Sequence, residues 1–191
     1  MGLQVAAILL LTHSGERIAV KYYLNELDKL NLPPAEFQQL ATIQTVAGQK
    51  KFESIIVGKI AAMQSENSHP LEDILIVNDF NIVLNDCGVL VLVVGTKNSN
   101  ELFLAEVEST VRAVLVEICG TITENNLYDK LDSVFLLLDQ IVDRGLLVEL
   151  DTKILCDRIG INVSEFTEHF PINQAIYTAR NNLIKSLLST T

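Results

Sequence analysis

Residues 72–96 read EDILIVNDFNIVLNDCGVLVLVVGT, and this stretch decides the fold class. Three apolar runs are separated by Asn78-Asp79 and by Asn85-Asp86-Cys87-Gly88. Asn, Asp and Gly tolerate the positive φ that tight turns demand, so runs joined this way pair antiparallel. In the middle run Phe80, Ile82 and Leu84 alternate with their neighbours, the period of a strand with two distinct faces. From Val89 to Val94 every position is apolar, which predicts a strand covered on both faces.

Toward the N-terminus a similar unit recurs. Val5 to Thr12 is followed by a polar break at His13-Ser14-Gly15-Glu16 and a second run, Arg17 to Tyr23. Ile18, Val20 and Tyr22 there alternate with Arg17, Ala19 and Lys21, the pattern of a half-buried strand, so these two runs form a hairpin. Asn25 to Pro34 reads as a connection. From Glu36 to about Gln64 the apolar period becomes helical, through Phe37, Leu40, Ile43 and Val46, then Phe52, Ile55, Ile56, Ile60 and Met63. Gly48 is the expected interruption. Ser65 to Pro70 is a loop.

Beyond Thr96 the chain turns helical. Asn98 and Glu101 have capping-box spacing ahead of a stripe of Phe103, Val107, Val111, Val114 and Ile118, closed by Gly120. Thr121 and Glu124 repeat the box before Leu127, Leu131, Val134, Leu138, Ile141 and Val142, closed by Gly145. An extended piece, Leu146 to Leu150, a brief helix from Thr152 to Ile159, a polar stretch through Pro171 and a last helix carrying Ile176, Leu183, Ile184 and Leu187 complete the reading. Strands grouped ahead of helices make the chain α+β, a five-stranded antiparallel sheet sandwiched by helices. The expected division is a domain over 1–150 and a C-terminal helical extension over 151–191, packed on or beside it.

Composition limits the function classes. The 191 residues are 49% apolar and only 20% charged, which excludes a disordered chain, and no apolar run approaches the ~18 residues of a membrane span. The net charge of -10 argues against a broad nucleic-acid surface, because phosphate binding concentrates Lys and Arg. Cys87, Cys119 and Cys156 form no CxxC pair, which fits a reducing compartment, with Cys87 expected to be the most exposed thiol. The N-terminus lacks the basic flank of a signal peptide, and Ala6 stands where a myristoylation motif wants Ser or Thr.

Motifs for chemistry are missing. There is no GxSxG, GxxxxGK[ST], GxGxxG after a strand, or HExxH. His13, His69 and His169 sit in separate loops and read as solvated side chains, and Asn162-Val163-Ser164 is a glycosylation sequon by pattern alone. Asp139 and Asp143 stand four apart and could face a common point, but both lie beside the apolar stripe, so a solvated face is the stronger reading. No catalytic residue, cofactor or metal ligand is assigned. What remains is apolar surface in excess of one core, in pairs such as Leu9-Leu10, Ile55-Ile56, Leu136-Leu137 and Leu187-Leu188. A subunit of an obligate assembly shows such a surplus, and so does a monomer with a generous core.

Certain segments are familiar as they stand: AAILLLTHSGERIAVKYY, QKKFESII, LVLVVGTKNSNELFLAEV, LDSVFLLLDQIVDRGLLVELD and the closing IKSLL. Together they resemble coatomer (COPI) zeta chains, of the adaptor small-chain family that also includes clathrin-adaptor sigma chains and has a longin-like fold. The most specific element is Leu138-Asp139-Gln140-Ile141-Val142-Asp143-Arg144-Gly145, with Gln140 where the family usually has Glu; its motif residues are Leu138, Asp139, Ile141, Val142, Asp143 and Gly145. The link from Leu24 to Ala47 is longer than the family's, and 160–171 also departs from it.

The resemblance implies a non-catalytic subunit of the COPI coat. It would be cytoplasmic, brought to Golgi membranes and vesicles with the rest of coatomer through an Arf-type GTPase, and would act in Golgi-to-ER retrograde and intra-Golgi transport. Its implied partner is the solenoid trunk of coatomer gamma, with Phe52, Ile55, Ile56 and Lys59 as candidate contacts. Two alternatives stay open: a sigma-type chain of a clathrin adaptor, and a small cytosolic enzyme using Asp139 and Asp143.

Overall fold

A computed structural model describes residues 4–24, 32–64 and 72–161. The expected loop at 65–70, His69, His169, the sequon at 162–164 and the last helix lie outside the described residues, as do 25–31 of the long link.

The five expected strands are present: β1 (Ala7–Leu11), β2 (Arg17–Tyr22), β3 (Glu72–Val77), β4 (Phe80–Asp86) and β5 (Leu90–Gly95). They form one antiparallel sheet in the order β2-β1-β5-β4-β3. β1 and β5 sit at its centre and every residue in both is buried, as the unbroken apolar run in β5 requires. The β3–β4 turn is made by Asn78 and Asp79, at φ 50° and 65°, two successive left-handed residues that match the twist of the flanking strands. In β2 the simple alternation fails. A register shift between Leu10 and Leu11 leaves Leu11 opposite Arg17, and Ile18 and Ala19 are then both buried, because a bulge sets two residues against one.

One face of the sheet, carrying Leu9, Leu11, Leu75, Ile82, Leu84, Leu90, Leu92 and Val94, packs on Phe52, Ile56 and Ile60 of the second of two helices. These are α1 (Pro34–Ala41) and α2 (Val46–Gln64). The Phe52 and Phe80 rings meet at 5.0 Å with a 58° tilt, a favourable aromatic geometry. The break between the helices falls at 42–45 and not at Gly48. The Thr42 hydroxyl donates to Gln39 O at 2.6 Å and closes α1, while the Thr45 hydroxyl accepts from Gly48 N at 3.1 Å and opens α2. Gly48 is needed for a different reason: a Cβ on it would lie 2.1 Å from Thr42 O.

On the other face α3 (Glu101–Cys119) lies against β4 and β5, and α5 (Leu131–Ile141) against α3 and β2. Asn100, not Asn98, caps α3 by accepting from Leu102 N at 2.9 Å, and Glu101 accepts from Asn81 Nδ2 at 2.8 Å. Thr123, not Thr121, caps the next helix, accepting from Asn126 N. The single helix expected from Leu127 to Val142 is two, α4 (Glu124–Asp129) and α5, separated where Lys130 takes φ -125° and ψ 24°. After α5 come a short hairpin, β6 (Val142–Asp143) with β7 (Leu146–Leu147), and then α6 (Thr152–Arg158). Because α6 buries Leu155 and Cys156 and packs on α3 and α5, the compact unit runs past the expected boundary at 150 to Ile161. Cys87 and Cys119 are both half-buried, so Cys87 is not set apart by exposure. Among the described residues no helix is long and apolar enough to cross a membrane.

Candidate functional site

The motif residues meet at one edge of the sheet. Helix α5 turns Val134, Leu137, Leu138 and Ile141 inward and ends at Ile141, so Asp143 belongs to β6 and the two aspartates do not share a helix. They converge all the same. Lys21 pairs with Ile8 across β1 and β2, which sets it on the sheet face away from α2, and its Nζ forms an ion pair with Asp139. Asp143 also favours the charged lysine, although partial burial has the larger effect and lowers the Lys21 pKa. Lys21 Nζ stands 5.6 Å from the centre of the Tyr23 ring, within cation–π range. The Tyr23 hydroxyl donates to Leu138 O at 2.7 Å, and burial raises the Tyr23 pKa. The aspartates are therefore not simply a solvated face: with Lys21 and Tyr23 they join α5 and its hairpin to β2.

Gly145 completes the clamp. Arg144 and Gly145 take φ 49° and 79°, so the two-residue turn between β6 and β7 is left-handed at both positions and suits Gly at the second. The buried Gly145 carbonyl is put to use: it accepts from Gln4 N at 2.9 Å and Val5 N at 3.0 Å, and Gln4 Oε1 accepts from Leu147 N at 3.0 Å. The hairpin thus holds the segment that leads into the interior strand β1. A cleft of about 380 Å³ opens beside Lys21, Asp139 and Arg144. Among the described residues no group of three His, Cys, Asp or Glu side chains could hold a metal ion.

The four candidate contacts on α2 do not share one surface. Phe52 is 2% exposed and Ile56 0%. Both point into the core, which corrects their assignment as partner contacts: helical spacing turns 52, 56 and 60 to the sheet. Ile55 is 39% exposed, and Lys59 donates from Nζ to Ile76 O at 2.7 Å at the β3 edge.

Sequence reasoning missed a buried ionic cluster on the same helix. Glu53, 4% exposed, accepts from Arg17 Nε and Nη2 at 2.8 Å each and from the Tyr22 hydroxyl at 2.7 Å. The Glu53 hydrogen bonds raise the Arg17 pKa, and burial followed by the Glu53 carboxylate raises that of Tyr22. The available signal was period: Arg17 and Tyr22 reach one sheet face only through the bulge, and Glu53 sits next to the apolar stripe of α2. His13 is not merely solvated: its Nε2 lies 2.9 Å from Asp86 Oδ1 and bridges the β1–β2 turn to the end of β4.

The chain is similar to known proteins along most of its length. Residues 4–165 match the family model of the clathrin adaptor complex small chain. Coatomer subunit zeta-1 of Arabidopsis thaliana is 30% identical over 196 residues, covering 97% of this chain and 97% of that protein. Coatomer subunit zeta-1 of Oryza sativa subsp. japonica is 29% identical, covering 96% of each. Coatomer subunit zeta of Saccharomyces cerevisiae is 29% identical, covering 82% of this chain and 77% of that protein. A five-stranded antiparallel sheet between helices, and similarity that runs nearly end to end, place the chain in the clathrin adaptor complex small-chain family.

Proposed function

We propose that this chain is a zeta-type subunit of a COPI coat. It would pair with the solenoid trunk of coatomer gamma, and through the assembled coat it would serve Golgi-to-ER retrograde and intra-Golgi vesicle transport. The observation that carries the reading is similarity to coatomer zeta subunits over 97% of both chains. The physical properties are consistent with it. The role is structural: a rigid sheet-and-helix body fills the concave side of a solenoid and holds its curvature. No reacting group is required, and the carboxylates that an enzyme would use, Asp139 and Asp143, are engaged with Lys21.

On this reading the chain works in the cytoplasm, on the surface of Golgi membranes and coated vesicles, and reaches the bilayer only through the rest of coatomer and an Arf-type GTPase. A net charge of -10 suits a chain with no direct contact with anionic lipid. Ile55 and Lys59 remain candidate contacts on α2. Affinity purification of the tagged chain from its own cells, with partners identified by mass spectrometry, tests the proposal. Recovery of coatomer gamma is the expected result. Recovery of an adaptor large chain without coatomer gamma would show a sigma-type chain instead.

A further inference from the structure

Charge is spread unevenly along a chain whose net charge is -10. From Phe37 to Gln64 the charged residues are Lys50, Lys51, Glu53 and Lys59. Glu53 is buried and held by Arg17, whereas the three lysines are exposed, so the solvent face of α2 is positive. Among the described residues Lys50 and Lys51 form no ion pair. Lys51 also stands on the rim of a groove of about 510 Å³ between α1, the first half of α2 and the Asn78-Asp79 turn. Ile43 and Phe52, 1% and 2% exposed, form its floor, and Ile55 its open edge. Gln38, Thr42 and Asp79 complete the polar rim. Gly48, where a Cβ would collide with Thr42 O, lets the two helices approach closely enough to shape it. Beside the groove the surface of α2 is low. Lys51, Ile55 and Gly58 follow one another at i, i+4 and i+7 on one line, and a Cβ on Gly58 would meet nothing within 4 Å.

An apolar floor inside a polar rim is the anatomy of a docking site for one or two large side chains. Here charge selects the occupant. Lys50 and Lys51 attract carboxylates while Asp79 on the opposite rim repels them, so a bound segment keeps its acidic residues on the α2 side. An anionic bilayer would face the acidic chain over far more than a Debye length of about 8 Å, whereas a short segment meets α2 alone. We propose that the α1–α2 groove docks a short acidic segment of a partner protein. The segment crosses Ile55 and Gly58, sets a large apolar side chain over Ile43 and Phe52, and turns its carboxylates to Lys50 and Lys51. The groove is on the opposite face of the sheet from α3 and α5, and its chemistry does not depend on which large chain holds the protein.

Fluorescence anisotropy of two labelled peptides, EDDLFEDE and its basic counterpart KKKLFKKK, tests the groove on the full chain, native and in three variants. Saturable binding of the acidic peptide and none of the basic one is expected. Lys51→Glu should weaken that binding about tenfold at low salt, with the difference shrinking at high salt. Gly58→Gln raises helix propensity while placing bulk beside the groove, so it should weaken binding severalfold without lowering Tm. Leu102→Ser, at a 79% exposed site on α3, should bind like the native chain. No saturable binding of the acidic peptide below about 1 mM, equal binding of the basic one, or native affinity in either α2 variant would overturn the proposal. Binding of phosphatidylserine vesicles without peptide binding, lost in Lys51→Glu, would assign the face to a membrane and overturn it too.

Discussion

Replacing Arg17 by Met tests the buried cluster on α2 most sharply. The substitution keeps much of the aliphatic stem but removes both 2.8 Å bonds to Glu53, a residue only 4% exposed, and leaves its carboxylate with the Tyr22 hydroxyl alone. Breaking a buried ion pair from one side costs about 3–5 kcal/mol, because the remaining charge stays desolvated. The Arg17 side chain is 27% exposed, so water reaches the site and the lower end, about 3 kcal/mol, applies. On a domain of this size each kcal/mol moves Tm by about 2–4 °C, which gives a drop of about 6–12 °C. Adding Glu53→Gln to Arg17→Met removes the stranded charge and keeps an acceptor for Tyr22, so the double variant should recover more than half of that loss. Urea titration followed by far-UV circular dichroism measures both. An Arg17→Met chain within about 0.5 kcal/mol of the native one, or a double variant less stable than the single, would show that Glu53 is not a desolvated charge held by Arg17.

Further outcomes follow from the same geometry. Two glycines of α2 should respond with opposite signs: Gly48→Ala sets a Cβ 2.1 Å from Thr42 O and should destabilise by several kcal/mol, whereas Gly58, with nothing within 4 Å of its would-be Cβ, should gain about 0.5–1 kcal/mol as Ala. Tyr23→Phe deletes the 2.7 Å bond to Leu138 O and should cost about 1–2 kcal/mol, read from the same urea titrations. Burial pushes the Cys156 thiol up from 9.0 to about 11 and raises the pKa of Tyr22 and Tyr23. All three groups are protonated and neutral when folded, so the Cys156 contribution is complete below pH 9 and declines as the pH rises through 9 to 11, whereas that of the two tyrosines declines only above pH 10. Stability measured against pH should be level near neutrality and fall above about pH 9, and Cys156→Ala should flatten the first part of that fall.

The strands could be read from residues because their signals are local. Asn78-Asp79 can turn a chain within two residues, and the unbroken apolar run of β5 has a place only inside a sheet. Helix ends were harder, because rival caps stand two residues apart: Asn98 and Asn100, or Thr121 and Thr123, offer the same chemistry, and tertiary contacts decide between them. The break at 42–45 carries no local signal for a related reason. Gly48 reads as a helix breaker, yet it is inside α2, where it admits the Thr42 carbonyl. The site was legible as a motif but not as a mechanism. Asp139 and Asp143 find their partner in Lys21, more than a hundred residues away in sequence, and only the register of β1 with β2 brings it to them. Phe52 and Ile56 show the converse limit: an apolar stripe does not say whether a sheet or another protein covers it, and here the sheet does.

On the proposed function this chain is a coat subunit held by one particular large chain. Co-expression with the coatomer gamma trunk and, separately, with the trunk of a clathrin-adaptor large chain, followed by size-exclusion chromatography with light scattering, measures that directly. A zeta-type chain should form a stable one-to-one complex with the gamma trunk and no complex with the adaptor trunk. A one-to-one complex with the adaptor trunk alone would contradict it.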